Sequence, residues 1–257
     1  MIDAVRAEWT KLRTLPSTGW LLVGAVAVTI AVSAIVAAAW HVNAGSTADP
    51  TKLSLAGVQI GQAVIAVLAV LAVSEEYGTG MIRTSLSAMP RRLTLLAAKA
   101  ANLAGLTLPV SLIAVAGCLF AGRLLLPDAG INPAHGYALV SLDHGPTLRA
   151  ASGSVLYLAL IALLGLGAAT AIRDTAASIG AVLGLLYLPP IAAQIVQDPT
   201  WRRHLEQIAP TTAGLAIQAT TNLRSQPIAP WAGLGVLAAW AAAVLLLAGL
   251  LLRLRDA

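Results

Sequence analysis

A chain of 257 residues that is 58% hydrophobic and only 11% charged, with a mean hydropathy of +0.82, belongs in a lipid bilayer, since an average soluble domain carries about 25% charged residues. The net charge of +5 comes from basic residues scattered at the ends of apolar runs rather than clustered with aromatics, which argues against a nucleic-acid surface and for membrane orientation. Cys118 is the only cysteine, so cysteine can build neither an intrachain disulfide nor a zinc or iron–sulfur centre.

Taken in chain order, Ile2, Val5, Trp9, Leu12 and Leu15 recur at helical spacing with Asp3, Arg6, Lys11 and Arg13 between them. This pattern predicts an interfacial amphipathic helix over residues 1–18. Trp9 would lie at headgroup depth, Lys11 and Arg13 would meet anionic lipid, and Pro16 would turn the chain into the bilayer. A second reading gives the same helix a cytoplasmic partner. The apolar run that follows is too long for a signal-peptide core, so the segment is expected to be retained.

About 20 apolar residues cross a hydrocarbon core of about 30 Å as a helix. Six stretches meet or approach that length: Gly19 to Trp40, Leu55 to Ser74 with Gln59 and Gln62, Ala100 to Phe120 with Pro109, Ala150 to Ile172, Ala176 to Val196 with Pro189 and Pro190, and Trp231 to Leu252. The expected fold is all-α, a single polytopic domain of six transmembrane helices. The connections His41 to Ser54 and Arg123 to Arg149 read as irregular. Residues 197–230 hold Trp201, Leu205, Ile208, Leu215 and Ile217 among polar neighbours, which predicts short amphipathic helices at the outer membrane face, the second capped around Pro210-Thr211-Thr212.

An even number of spans puts both termini on one side. With the termini in the cytoplasm, ten of the 16 Lys and Arg residues are cytoplasmic, Arg83, Arg91, Arg92 and Lys99 of the second-to-third connection among them. The expected location is the plasma membrane with both termini cytoplasmic.

Between the second and third apolar runs lies Ser74-Glu75-Glu76-Tyr77-Gly78-Thr79-Gly80-Met81-Ile82-Arg83, running on to Met89-Pro90-Arg91-Arg92. Two adjacent carboxylates beside a span must face water, protein or a site. The simplest reading lets them solvate the end of the second helix. At a helix C-terminus, however, they oppose the macrodipole by about 0.3–1 kcal/mol, and Arg83, Arg91 and Arg92 are at hand to compensate. A short surface helix over Thr79 to Ser87, stopped by Pro90, would direct these arginines to the cytoplasm.

Several chemistries are excluded on spacing. No lysine follows the glycine of a phosphate-cradling loop, so the chain has no nucleotide-hydrolysing motif of that kind. It lacks an HExxH zinc motif, and His41, His135, His144 and His204 lie at or beyond the outer ends of the spans without ligand spacing. A glutamate-pair intramembrane protease with an EExxxR signature would need arginine where Gly80 stands. No catalytic residue, metal or bound cofactor is expected, and the chain is not expected to be an enzyme.

The order RAEWTKLRT into a first span, SEEYGTGMIRTSLSAMPRRL between the second and third spans, and LLRLRDA at the end resembles the type-2 ABC exporter permeases of the compact actinobacterial kind. The likeness covers nearly the whole chain, and its most specific part is the glutamate, glycine, Ile-Arg-Thr, proline and double-arginine run. It implies that the N-terminal elbow helix (Trp9, Lys11, Arg13) and a coupling segment over 75–95 (Glu75, Glu76, Thr79, Arg83, Arg91, Arg92) seat two copies of a cytoplasmic ATPase, which would hold ATP and magnesium. It also implies a second permease copy, identical or not, and outer re-entrant helices before the sixth span. Export would then proceed by alternating access.

Few charges lie within the spans, which favours a hydrophobic or amphipathic substrate over an ion. Gln59, Gln62 and Asn102 are candidate path residues, although interhelical hydrogen bonding is their commoner use. A proton-coupled carrier and a structural or regulatory membrane protein are the alternatives.

Overall fold

The computed structural model describes residues 16–40, 48–78, 92–131, 137 and 140–254, with the backbone alone for 16–18, 75–78 and 92. The expected elbow helix, with Trp9, Lys11 and Arg13, lies outside the described residues. Regular structure within them is entirely helical: α1 (Pro16–Ala39), α2 (Pro50–Ser54), α3 (Val58–Gly78), α4 (Arg92–Leu125), α5 (Gly145–Ile172), α6 (Thr175–Ile195), α7 (Pro199–Ile208), α8 (Pro210–Leu215) and α9 (Pro230–Leu254), with short 3₁₀ turns at Ala216–Gln218 and Leu223–Ser225.

Helices α1, α4, α5, α6 and α9 are long and apolar enough to cross a membrane, and α3 contributes a shorter apolar stretch, Val58–Ser74. The chain is thus a multi-helix protein of multi-pass membrane type. Helix α3 runs on past its apolar stretch through Glu75 and Glu76 to Gly78.

The centre of the bundle is α5. Of its most apolar stretch 72% is buried, against 22% for α1 and α6 and 28% for α9, so the latter three offer broad faces to their surroundings. α5 packs against α3, α4, α6, α8 and α9, burying Tyr157, Leu158, Ile161, Leu164 and Leu166. Small residues let the other helices close in, as expected where lipid gives helices no hydrophobic reason to associate. A Cβ on Gly61 would stand 1.9 Å from Thr29 Oγ1 and one on Gly57 1.9 Å from the Thr29 carbonyl, so α1 and α3 meet almost backbone to backbone.

Several boundaries differ from the sequence expectation for identifiable reasons. Helix α4 starts at Arg92 rather than Ala100, because Lys99 and Asn102, only 7% and 5% exposed, are covered by neighbouring helices instead of marking a span end. The connection read as irregular before α3 contains α2, nucleated by Asp49 at its N-cap and Pro50 in its first turn. The chain turns from α5 to α6 in two residues. Arg173 takes a left-handed conformation (φ 64°) with its N–H on the Ala169 carbonyl, and Asp174 caps α6 by accepting from the Ala177 N–H at 2.7 Å. Pro210 opens α8, whose cap position is Ala209.

Candidate functional site

One end of the bundle gathers the last residue of α1, helix α2, the start of α3, the start of α5 and the segment from α8 to α9. Thr51 and Thr147 hydroxyls meet at 3.2 Å, and a Cβ on Gly122, near the end of α4, would collide with Ser54. The opposite end gathers the close of α3 and α9 with the start of α4, where Gly249 lies against Leu93 and Leu96. The described part of the cassette, the backbone of Glu75 to Gly78 and of Arg92, therefore belongs to that opposite end.

Of the cassette residues, Glu75 and Glu76 lie on the last turns of α3, which continues to Gly78 rather than stopping at Ser74, and Arg92 is the first residue of α4. Their side chains, together with Thr79, Arg83 and Arg91, are outside the described residues.

A polar cluster links the helices nearer the first end. Gln59 and Gln62 are spaced to share one face of α3. Gln62 is wholly buried; its amide donates to the Gln59 carbonyl at 3.0 Å, and its oxygen accepts from the Tyr157 hydroxyl of α5. The Tyr187 hydroxyl of α6 donates to the same Gln59 carbonyl at 2.7 Å. The 3₁₀ turn after α8 joins in through Gln218, which donates to Ser154 Oγ of α5 at 3.1 Å. Three long helices and the α8 segment are thus pinned together, because each amide or hydroxyl removed from water must find a partner. Asn102 is buried on α4 and takes no part in these bonds, so the three sequence-nominated path residues do not converge on one site.

The Gln59 side chain instead faces a cleft of about 400 Å³ at that end of the bundle, walled also by Trp40, Lys52, Gln218, Asn222 and Gln226. Asp49 fixes its shape. The Asp49 carboxylate accepts from the Thr220 N–H at 2.5 Å, the Thr220 hydroxyl at 2.6 Å, the Thr221 N–H at 3.1 Å and the Lys52 N–H at 3.2 Å. Arg149 braces the adjoining turn by donating to the Ala219 carbonyl at 2.5 Å.

Sequence reasoning did not nominate Tyr157, Tyr187 or Asp49. A tyrosine inside an apolar run was the available signal for the first two, since its hydroxyl needs a partner when buried. Among the described residues no cluster of three or more His, Cys, Asp and Glu side chains has the arrangement of a metal site; His144 precedes α5 without a side-chain cap bond, and His204 is exposed on α7.

Compared with known proteins, the sequence matches no family model and no curated protein.

Proposed function

We propose that the chain is the membrane-spanning permease subunit of an ATP-driven exporter of the ABC type, working as a pair around a shared path and powered by two copies of a separate cytoplasmic ATPase. The observation that carries this reading is the segment before the last long helix. Helix α7 is amphipathic and exposed, whereas α8 and its 3₁₀ extension fold back and pack on α5 and α9, with Pro210, Thr211, Ala213 and Gly214 buried. Irregular backbone at such a place is tolerated where protein covers it, and a re-entrant plug before the sixth span is what the exporter resemblance requires.

In this reading α3 is also a span, the second in chain order, which brings the number to six. Its 21 residues rise about 31 Å at 1.5 Å each, enough for the hydrocarbon core. Both termini and the cassette are cytoplasmic, the cleft end faces outward, and the membrane is the plasma membrane. The cassette sits where a partner's motion would enter the bundle, between α3, which is tied to Tyr157 and Tyr187, and α4. Nucleotide-driven closure of the ATPases would move Glu75, Glu76, Thr79, Arg83, Arg91 and Arg92, with the elbow residues Trp9, Lys11 and Arg13 completing the seat. The sparsely covered faces of α1, α6 and α9 supply surface for a second copy and for lipid. A hydrophobic or amphipathic substrate suits the apolar helices.

The test is gentle detergent extraction from the native membrane, followed by an ATPase assay on whatever co-purifies. A stoichiometric soluble ATPase that is lost with the Glu75→Ala, Arg83→Ala double substitution supports the reading. Absence of an ATPase from the wild-type preparation, together with transport in vesicles that ignores ATP, overturns it.

A further inference from the structure

The cleft has a chemical character that the exporter reading does not use. Its one carboxylate is already spent: an ionised carboxylate offers about four acceptor positions, and Asp49 has four donors on it, from Thr220, Thr221 and Lys52. The Lys52 ammonium is exposed and has neither an ion pair nor a side-chain hydrogen bond among the described residues. The lining is then left with the unengaged donors of the Lys52 ammonium, the Trp40 indole and the amides of Gln59, Asn222 and Gln226. Trp40 directly follows the end of α1, the place where tryptophan marks the membrane–water interface, so the cleft lies at headgroup depth.

We propose that this cleft binds a polyol phosphate head group, with the phosphate on Lys52 and the hydroxyls on the amides of Gln59, Asn222 and Gln226. An ammonium and an indole N–H only donate, and they call for an acceptor-rich anion. Amides both donate and accept, as hydroxyl groups do, so they match a polyol better than a bare carboxylate or a choline. A cationic head group would meet the Lys52 ammonium, while the Asp49 oxygens are already taken up by Thr220, Thr221 and the Lys52 N–H. The volume of about 400 Å³ is within the range of small-ligand sites, and Leu53 and Leu215 on the wall can receive the first carbons of an attached chain. The same chemistry is offered by a lipid such as phosphatidylglycerol and by free glycerol phosphate.

The experiment uses the full chain in detergent micelles, with retained ligand read by native mass spectrometry. The wild type should retain dioleoyl phosphatidylglycerol about tenfold better than dioleoyl phosphatidylcholine, the order expected of one charge-assisted contact. Lys52→Gln should abolish that preference, whereas Arg203→Gln, which removes an exposed cation on α7, should leave it intact. Gln226→Glu, which brings a negative charge into the cleft, should also abolish it and serves if Lys52→Gln cannot be purified. Displacement of the lipid by millimolar glycerol phosphate would assign the site to the free solute, and failure to displace it would assign the site to the lipid. Equal retention of the two lipids by the wild type, or a preference that survives Lys52→Gln and Gln226→Glu, overturns the proposal.

Discussion

The Asp49 carboxylate holds Thr220 by both its backbone N–H, at 2.5 Å, and its hydroxyl, at 2.6 Å, across 171 residues of sequence. One side chain thereby joins the connection between α1 and α3 to the connection that leads into α9. The same carboxylate caps α2, so its removal frees several donors at once. Asp49→Ala should lower stability by about 1.5–3 kcal/mol, the range for hydrogen bonds to a charged group. Asp49→Asn should cost less, because the amide keeps one acceptor oxygen. Thermal melts of the two variants in the same detergent check this, and an alanine variant as stable as the wild type would remove the latch from the account of the cleft.

Tyr157 and Gln62 form a second long-range pair, this one in the interior. Hydrogen bonds between membrane helices average only about 0.6 kcal/mol in double-mutant cycles, but a buried acceptor stripped of its donor costs about 1–3 kcal/mol. Tyr157→Phe should therefore destabilise by more than the bond itself is worth, because the Gln62 oxygen is left without that donor in a fully buried position. Adding Gln62→Leu should recover part of the loss. The check is a double-mutant cycle on unfolding free energies; additive costs would mean that the two side chains are not coupled.

Close approach of α8 to α9 depends on Gly233. A Cβ there would lie 2.0 Å from the Ala213 carbonyl oxygen, whereas Gly235, two residues on, has open space at the same point. A backbone carbonyl cannot swing aside as a flexible side chain can. Gly233→Ala should destabilise by about 1–3 kcal/mol through overpacking, with loss of monodisperse protein in size-exclusion chromatography, while Gly235→Ala should be silent. Equal behaviour of the two variants would show that α8 does not rest on α9 in this way.

Much of the helical framework was legible because lipid imposes a simple demand: long uncharged runs such as Gly19 to Trp40 and Trp231 to Leu252 have no other stable form than a helix. Span ends were less legible. Lys99 looked like a boundary and is instead 7% exposed inside α4, since a charge marks a helix end only when tertiary packing leaves it there. The α2 turn was hidden in a run of turn-forming residues, although Asp49-Pro50 carried its start signal. The pairing of Gln62 with Tyr157 and of Asp49 with Thr220 could not be read from local pattern, because partners 95 and 171 residues apart are brought together only by the packing of α5 and α8. Gln59, Gln62 and Asn102 were nominated for polarity alone. Their separation into a cleft residue, a buried strut and a residue on another helix depends on which way each helix face turns.

The orientation of the bundle can be read directly because Cys118 is fully buried and should give little background with a maleimide reagent. Ser225 is exposed beside the cleft, and Ala176 is exposed in the first turn of α6, just after the turn made by Arg173 and Asp174. If the cleft faces outward, as the proposed function has it, Ser225→Cys should be labelled by a membrane-impermeant maleimide in intact cells. Ala176→Cys should be labelled only after permeabilisation. The reverse pattern would place the cassette of Glu75 to Arg92 outside the cell, where no cytoplasmic ATPase could reach it, and would refute the exporter reading without a transport assay.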